Sequence, residues 1–468
     1  MRDMSRLGRA PLATLLVVGL GLWIATLLAP LAGVTPAHAK PWPMKVSQNG
    51  ERLNSDAIKH TLYTLKDEYV EKVNYNALLK SAADGVQVYL KEKKIKFKEL
   101  EKFPRGTSAD ANLLEFQDLL SRIQSANRGK VQDQKLIYYA LKGLMFGLKD
   151  PYSIAMEARE YRKLKESMSG GNFGGVGIYI ELDKAHKNQL VVVEPIEDTP
   201  GAKAGLKPGD WILSIDGEST NGISLDVAAQ HIRGPVGSTV RLRIQRKGSA
   251  ARDYVLTRQL IHVKSASGKM LPNQVGYIRL RFFGEDTGDE VERALTLLER
   301  NGAKALILDV RNNGGGYIKA AQEVCNLFLP SGQTIVSVVN YRKHTNETHR
   351  AYGSNHTRLP MIVLINAFSA SASEITAGAL RDTKAATLVG TKSFGKGSVQ
   401  TLHEMQDGGA LKFTIAHYLT PSGRDINKIG IKPDVEVKME PKDVGGAKDI
   451  QLQRAQAILR QRLAGNPR

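Results

Sequence analysis

The sequence predicts an α/β core with a mixed or mostly parallel sheet and flanking helices, preceded by a helical region and interrupted by a β-rich α+β insertion. Three observations predict it. From Val275 onward, short apolar runs at 275–280, 305–310 and Met361–Ile365 alternate with helix-period segments at 287–299 and 318–327. That is the pattern of parallel strands buried on both faces. Between 170 and 263 the period falls to two, with short strands at 176–181, 190–193, 211–215 and 240–245 between glycine- and proline-bearing turns. Residues 40–165 show apolar spacings of three and four on a charge-rich background, as amphipathic helices do. A chain of 468 residues, 42% hydrophobic and 24% charged, has room for two or three domains with ample core.

Taken in order, residues 1–39 read as an export signal. Arg2, Arg6 and Arg9 form a basic start, 12–28 an apolar core, and Ala37-His-Ala39 a cleavage site before Lys40. The expected location is the periplasm. The apolar core is long for a cleaved signal, so an uncleaved inner-membrane anchor is the alternative. No twin arginine is present, and no cysteine follows closely to carry a lipid. Cys325 is the single cysteine, which excludes an intramolecular disulfide; its apolar surroundings at 320–329 predict packing rather than chemistry. The net charge of +19 favours acidic partners, an anionic membrane surface or anionic envelope polymers. Nucleic acid is disfavoured, since no recognition motif accompanies the charge and the export signal argues against it.

In the helical region the strongest pattern is 132–148, ended by Lys149-Asp-Pro-Tyr-Ser153, and nothing there reads as catalytic. The basic run 91–98 reads as a solvated face. The insertion opens with Gly170-Gly-Asn-Phe-Gly-Gly-Val-Gly-Ile178 and contains Asp198-Thr-Pro-Gly-Ala-Lys-Ala-Gly-Leu-Lys-Pro-Gly-Asp210, then a helix over Leu225–Ile232. In the core, Arg311-Asn-Asn-Gly-Gly-Gly316 lies between a strand and a helix, where α/β folds place ligand sites; taken alone it is also an ordinary turn. Residues 335–346 read as an extended hairpin and 410–418 as a strand. Residues 442–468 hold a terminal helix at 449–463, which can pack on its own domain or on another subunit. His344 and His349 lack zinc-hydrolase spacing.

The chemistry concentrates between Asn366 and Gln400. Ser371 follows the strand Met361–Ile365 and precedes a helical pattern, with Glu374 placed for a capping box. A hydroxyl there stands beside the free N–H groups of a first helical turn, beginning with Ala372, which suits a nucleophile and its oxyanion. A serine in this position is more often only a cap. Lys396 changes the balance. Gly395 and Gly397 let backbone approach it closely, and burial would lower its proton affinity enough for a neutral amine to deprotonate a serine. Two rival motifs fail. Gly390 to Lys396 resembles a phosphate-binding loop, but Gly397 stands where Ser or Thr should hold magnesium, and an extended segment follows. Ser393-Phe-Gly-Lys396 also spells S-x-x-K, but its glycines oppose the helix that motif needs.

The segments Ser-Ala-Ser-Ala-Ser-Glu-Ile (369–375), Ala-Gly-Ala-Leu (377–380) and Phe-Gly-Lys-Gly-Ser-Val-Gln (394–400) closely resemble the carboxy-terminal processing peptidases, the PDZ-containing tail-specific proteases with a Ser-Lys dyad. The closing segments Thr420-Pro-Ser-Gly-Arg-Asp-Ile426 and Gly430-Ile-Lys-Pro-Asp434 match as well. The resemblance implies an α/β protease core at 264–441 with a PDZ domain inserted at 170–263. It further implies Ser371 as nucleophile, Lys396 as general base, and Gln400 as the residue that orients the lysine. Gly315 would join Ala372 as oxyanion donor, with Gly314 and Gly316 as alternatives. Asp382 matches an aspartate often grouped with the dyad, yet eleven helical residues place it ~16 Å along the axis from Ser371, which suits a supporting role. Tyr152 stands where the family carries histidine.

In the insertion, Gly175, Val176, Gly177 and Ile178 would form the loop that receives a peptide carboxylate, with the next strand edge taking the peptide as an added strand. Arg233 is a candidate contact for the peptide terminus or the protease core; a plain surface arginine is an equal reading. The expected activity is an exported endopeptidase that binds protein C-termini and cleaves nearby, without a metal or organic cofactor. The expected partners are substrate tails and a second copy of the chain, and the resemblance further implies a lipoprotein adaptor with helical repeats. The competing class is a non-catalytic PDZ scaffold, against which the intact Ser371, Lys396 and Gln400 argue.

Overall fold

The apolar runs of the core become a six-stranded sheet ordered Ala266–Leu271, Val275–Leu280, Ala305–Asp309, Met361–Ile365, Ala386–Gly390, Val435–Glu436. The first pair is antiparallel and the rest are parallel, so the sheet is mixed. The computed structural model describes residues 53–465 except 107, 169–172, 184–185, 187, 354–356, 441–442 and 447. The export signal expected at 1–39 therefore lies outside the described residues.

The strands read as unbroken apolar runs because both faces are covered. Ile278, Leu280, Leu306, Leu308, Val363 and Ile365 face the helices Thr287–Arg300, Ile318–Asn326 and Ala372–Asp382. The alternate residues Val275, Tyr277, Ala305, Ile307, Ile362 and Leu364 face Ala455 and Leu459 of the terminal helix Ile450–Ala464. That helix thus packs on its own domain. Cys325 is buried in the first of these layers.

A second, five-stranded sheet is antiparallel: Ile154–Met156, Ala410–Leu419, Thr334–Asn340 and Thr345–Arg350 in order, with Ser398–Glu404 also paired to Ala410–Leu419. Leu411 and Phe413 on one of its faces enter the core of the helical region. That region comprises the helices Asp56–Glu68, Tyr75–Glu92, Lys98–Glu101, Ala109–Ala126 and Asp133–Phe146. The helical region and the peptidase core accordingly form one unit.

Residues 169–264 form the other unit. Its sheet runs Ile178–Asp183, Gln189–Pro195, Trp211–Ile215, Thr239–Gln245, Arg252–Thr257, around a core that includes Val176, Val192, Ile212, Leu242 and Ala228 of the helix Leu225–Ile232. Where the insertion begins and ends, Phe173–Gly175 pairs with Gln259–Ile261. The strand Ile178–Asp183 is left as a sheet edge.

Candidate active site

Two strand ends set the site. Ala305–Asp309 and Met361–Ile365 are parallel neighbours, so the loops leaving their carboxyl ends run side by side. The loops are stapled together. Asn366 Oδ1 accepts the Asn312 N–H at 2.9 Å, Ser369 Oγ donates to the Val310 carbonyl at 2.8 Å, and Ser373 Oγ donates to the Asn313 carbonyl at 2.8 Å. Of the three serines in Ser369-Ala-Ser-Ala-Ser373, two have spent their hydroxyls on backbone. The third, Ser371 Oγ, is fully buried, bonds no backbone group among the described residues, and lies beside the Tyr418 hydroxyl.

Ser371 sits at φ 55°, ψ −116°, a conformation that costs an ordinary residue about 1–3 kcal/mol and persists only where neighbours enforce it. Glu374 is the enforcer. The carboxylate half of a capping box is formed: Glu374 Oε2 accepts the Ser371 N–H at 2.9 Å, while the Glu374 N–H goes to the Ser371 carbonyl at 2.7 Å. The same carboxylate accepts the Lys396 N–H at 2.9 Å, the Gly395 N–H at 2.7 Å and the Ser393 hydroxyl at 2.6 Å. Burial pushes the Glu374 carboxyl up, and these donors pull it back. One side chain therefore fixes the backbone of both Ser371 and Lys396. The Ala372 N–H, first of its helix, has no acceptor among the described residues.

Gly315 lies against this turn. A Cβ there would stand 2.8 Å from both the Ala370 carbonyl oxygen and Ser371 Cβ, and its φ of +103° favours glycine besides. Its N–H, however, already donates to Asn313 Oδ1 at 2.9 Å. As folded here, the loop holds Gly315 beside Ser371 but keeps that donor for itself.

Lys396 is brought in by close backbone packing. Cβ atoms on Gly395 and Gly397 would meet Gly430 N at 2.8 Å and Asn427 N at 2.6 Å. The lysine is 5% exposed, its Nζ lies 4.7 Å from the centre of the Tyr152 ring, and Tyr418 donates its hydroxyl to the Lys396 carbonyl. Burial, reinforced by the nearby Lys412 cation, holds the amine well below the usual lysine range, while Asp150 and Glu374 oppose that shift from a distance. Gln400 is buried two residues along the next strand, with Nε2 bonded to Ser398 Oγ and Thr414 Oγ1 and with Oε1 lacking a partner among the described residues. Ser371, Lys396 and Gln400 thus bring a buried hydroxyl, a proton-poor amine and an unused acceptor to one region: the parts of a base-assisted nucleophile.

Asp382 stands apart at the far end of the helix Ala372–Asp382. Its Oδ2 accepts the Ser422 N–H at 3.1 Å and the Ser422 hydroxyl at 2.6 Å; burial pushes its carboxyl up, but bonds from Ser422 and Thr420 bring it below the usual range. It holds the turn after Ala410–Leu419. In the other unit, the Val176 carbonyl accepts the Gly201 N–H and the Gly177 carbonyl accepts the Ile196 N–H, so the loop turns its carbonyls inward. The N–H groups of Val176 and Gly177 have no acceptor among the described residues. Gly175 closes the short strand before this loop and Ile178 opens the edge strand after it. Beside that strand lies the helix Leu225–Ile232, with Leu225 and Val227 exposed. Arg233 follows this helix and lies over the Phe173 ring at 4.1 Å.

Residues 274–437 match the model of peptidase family S41, and 191–246 match a PDZ domain. A carboxyl-terminal-processing protease of Synechocystis sp. (strain ATCC 27184 / PCC 6803 / Kazusa) is 40% identical over 338 residues, spanning 70% of this chain and 78% of the relative. The chain belongs to the carboxyl-terminal processing proteases. The Bacillus subtilis (strain 168) protease CtpA is 35% identical over 334 residues, 71% of each chain. Among solved structures, the photosystem II D1 C-terminal processing protease is 27% identical, with a TM-score of 0.47, over 83% of this chain and 93% of that one. The family is one of serine-type peptidases with a PDZ domain.

Three contributions in this carboxyl-terminal processing protease escape local sequence reading. The Asp150-Pro-Tyr-Ser153 turn, in a region read above as non-catalytic, carries the ring that lies 4.7 Å from Lys396 Nζ. Its one signal was the family motif in which Tyr152 replaces histidine. Glu374 reads as a cap partner but ties two loops, and Asn313 reads as a turn residue but accepts from Gly315.

Proposed function

We propose that this protease cleaves exported proteins near their C-termini, with Ser371 as nucleophile and Lys396 as its general base. Ser371 Oγ attacks the scissile carbonyl as neutral Lys396 Nζ takes its proton, and the ammonium then protonates the leaving amine. Water hydrolyses the acyl ester by the same base. The Ala372 N–H holds the oxyanion, joined by the Gly315 N–H once it leaves Asn313. The observation that carries this reading is the contrast within Ser369-Ala-Ser-Ala-Ser373, where Ser371 alone keeps a buried hydroxyl not spent on backbone among the described residues. The depressed lysine supports it.

Substrate tails add to the edge strand Ile178–Asp183 with their carboxylate on the Val176 and Gly177 N–H groups; the unpartnered loop donors and the apolar Leu225 and Val227 favour this, and favour apolar tails. Export to the periplasm rests on the N-terminal signal pattern, and the basic charge suits an anionic envelope surface. A lipoprotein adaptor and self-association belong to the same proposal. The test is cleavage of an unfolded protein with an apolar C-terminus by wild type, Ser371→Ala and Lys396→Ala. Loss in both variants with tail binding retained is the expected result. Activity in either variant would overturn the dyad.

A further inference from the structure

The hydrogen-bond directions around Gln400 are dictated from outside the dyad. Asp150 Oδ2 accepts from Ser153 Oγ at 2.6 Å and from Thr414 Oγ1 at 2.7 Å, while Oδ1 accepts the Tyr152 N–H at 3.0 Å. A threonine hydroxyl has one hydrogen, and Thr414 gives it to the carboxylate. Toward Gln400 that oxygen can only accept, and it takes Nε2 at 3.3 Å. The second Nε2 hydrogen goes to Ser398 Oγ at 2.9 Å. With both amide hydrogens committed, the amide cannot reverse its ends without placing a carbonyl oxygen against the acceptor side of Thr414. Its Oε1 is thereby turned away from the relay, and it is buried with no partner among the described residues. An unsatisfied buried acceptor is costly unless a donor arrives.

We infer that Asp150 and Thr414 are positioning residues which, through Gln400, aim the Lys396 amine for proton transfer. The inference rests on the dyad reading. A neutral lysine has two N–H hydrogens and one lone pair. Gln400 Oε1 receives one hydrogen as the site closes, and the Tyr152 ring, 4.7 Å from Nζ, faces another. The lone pair is then left for the Ser371 hydroxyl. The strand pairing supplies the frame, since Gln400 lies opposite Thr414 and the turn 150–153 leads directly into Ile154–Met156, which pairs with the same strand. Tyr152, which covers the amine, and Asp150, which sets the amide, are therefore carried by one turn.

The experiment measures kcat and KM on the unfolded tailed substrate across pH, using the full-length chain. Thr414→Val removes the hydroxyl while keeping shape. It should lower kcat by roughly 10–100-fold, within the 10²-fold that misplacing a catalytic group can cost, and leave KM unchanged. Thr414→Ser should restore kcat to within about 3-fold of wild type, because the relay needs only the hydroxyl. Asp150→Asn should lower kcat and also move the acid limb to lower pH. The charged groups acting on Lys396 are Lys412, Asp150 and Glu374, and this variant removes one anion from among them. A folded Thr414→Val with wild-type kcat, beside inactive Ser371→Ala and Lys396→Ala, would overturn the relay and spare the dyad. Activity in Ser371→Ala or Lys396→Ala would overturn both. If Thr414→Val lacks a cooperative thermal transition, Asp150→Asn decides in its place, and a wild-type kcat and acid limb there rejects the relay.

Discussion

Asn313 Oδ1 accepts the Gly315 N–H at 2.9 Å, so the loop packed against Ser371 spends on itself a donor that an oxyanion would use. Asn313 is not free to swing away, because its Nδ2 donates to the Leu280 carbonyl at 2.9 Å and the residue is fully buried. Exchange of partners is easier by rotation of the Gly315 peptide. Gly314, around which a Cβ would meet nothing within 4 Å, leaves room for it.

Gly315→Ala tests this. The new Cβ would strain a φ of +103° and press on the Ala370 carbonyl and Ser371 Cβ. The expected outcome is a fall in kcat of about 10²–10³-fold, the usual cost of an oxyanion donor, with tail binding intact. Steady-state kinetics beside a tail-peptide titration would show it, and a variant with near wild-type kcat would refute the assignment.

Glu374→Gln should damage both stability and rate. The carboxylate collects four donors, and an amide must turn its own NH₂ toward some of them, leaving N–H against N–H. Buried unsatisfied donors cost about 1–3 kcal/mol each, so a loss of roughly 2–4 kcal/mol is expected. Urea unfolding in the Ser371→Ala background would measure it without self-cleavage. An unchanged midpoint would mean the four bonds contribute little.

The sheet and most helices were legible because their causes are local. Val275–Leu280, Ala305–Asp309 and Met361–Ile365 announce themselves as apolar runs, since each strand is covered on both faces. The segment read as a hairpin at 335–346 is the antiparallel pair Thr334–Asn340 and Thr345–Arg350. Ser371 and Lys396 were legible for a like reason, one from its place between strand and helix, the other from its flanking glycines. What surrounds them was not. Thr414 meets Asp150 across 264 residues of sequence, and Arg311 meets Asp449 across 138. No window of sequence contains such a pair, and both Asp150 and Asp449 read locally as turn or cap residues.

Asp449→Ala should reach the active site through that second pair. Arg311 begins the loop that carries Asn313 and Gly315, and its buried guanidinium is held by Asp309 and by Asp449, at 2.7 and 2.8 Å from its two terminal nitrogens. Burial alone would lower the Arg311 proton affinity; these carboxylates raise it instead. Removing one partner of a buried pair typically costs about 3–5 kcal/mol. Thermal unfolding should show a loss of that size, and any folded fraction should have reduced kcat. Wild-type stability would show that the Arg311–Asp449 pair contributes little to the fold.

Lys396→Met separates the needs of catalysis from those of folding. The native amine is held well below the ordinary lysine range by burial and Lys412, whereas in the unfolded chain it titrates normally. Between those two points the unfolded state binds the extra proton, so this residue's contribution to stability rises with pH across the window and is lost as pH falls through the native value. At pH 7 the variant should be inactive yet as stable as wild type or more so, by about 1–3 kcal/mol, since an apolar side chain suits the cleft beneath Tyr152. Its advantage should be greatest in acid and shrink as pH climbs toward the lysine range. Denaturation midpoints of both proteins across pH would trace this difference. A variant less stable than wild type throughout would mean that Lys396 makes interactions in the fold that outweigh its desolvation.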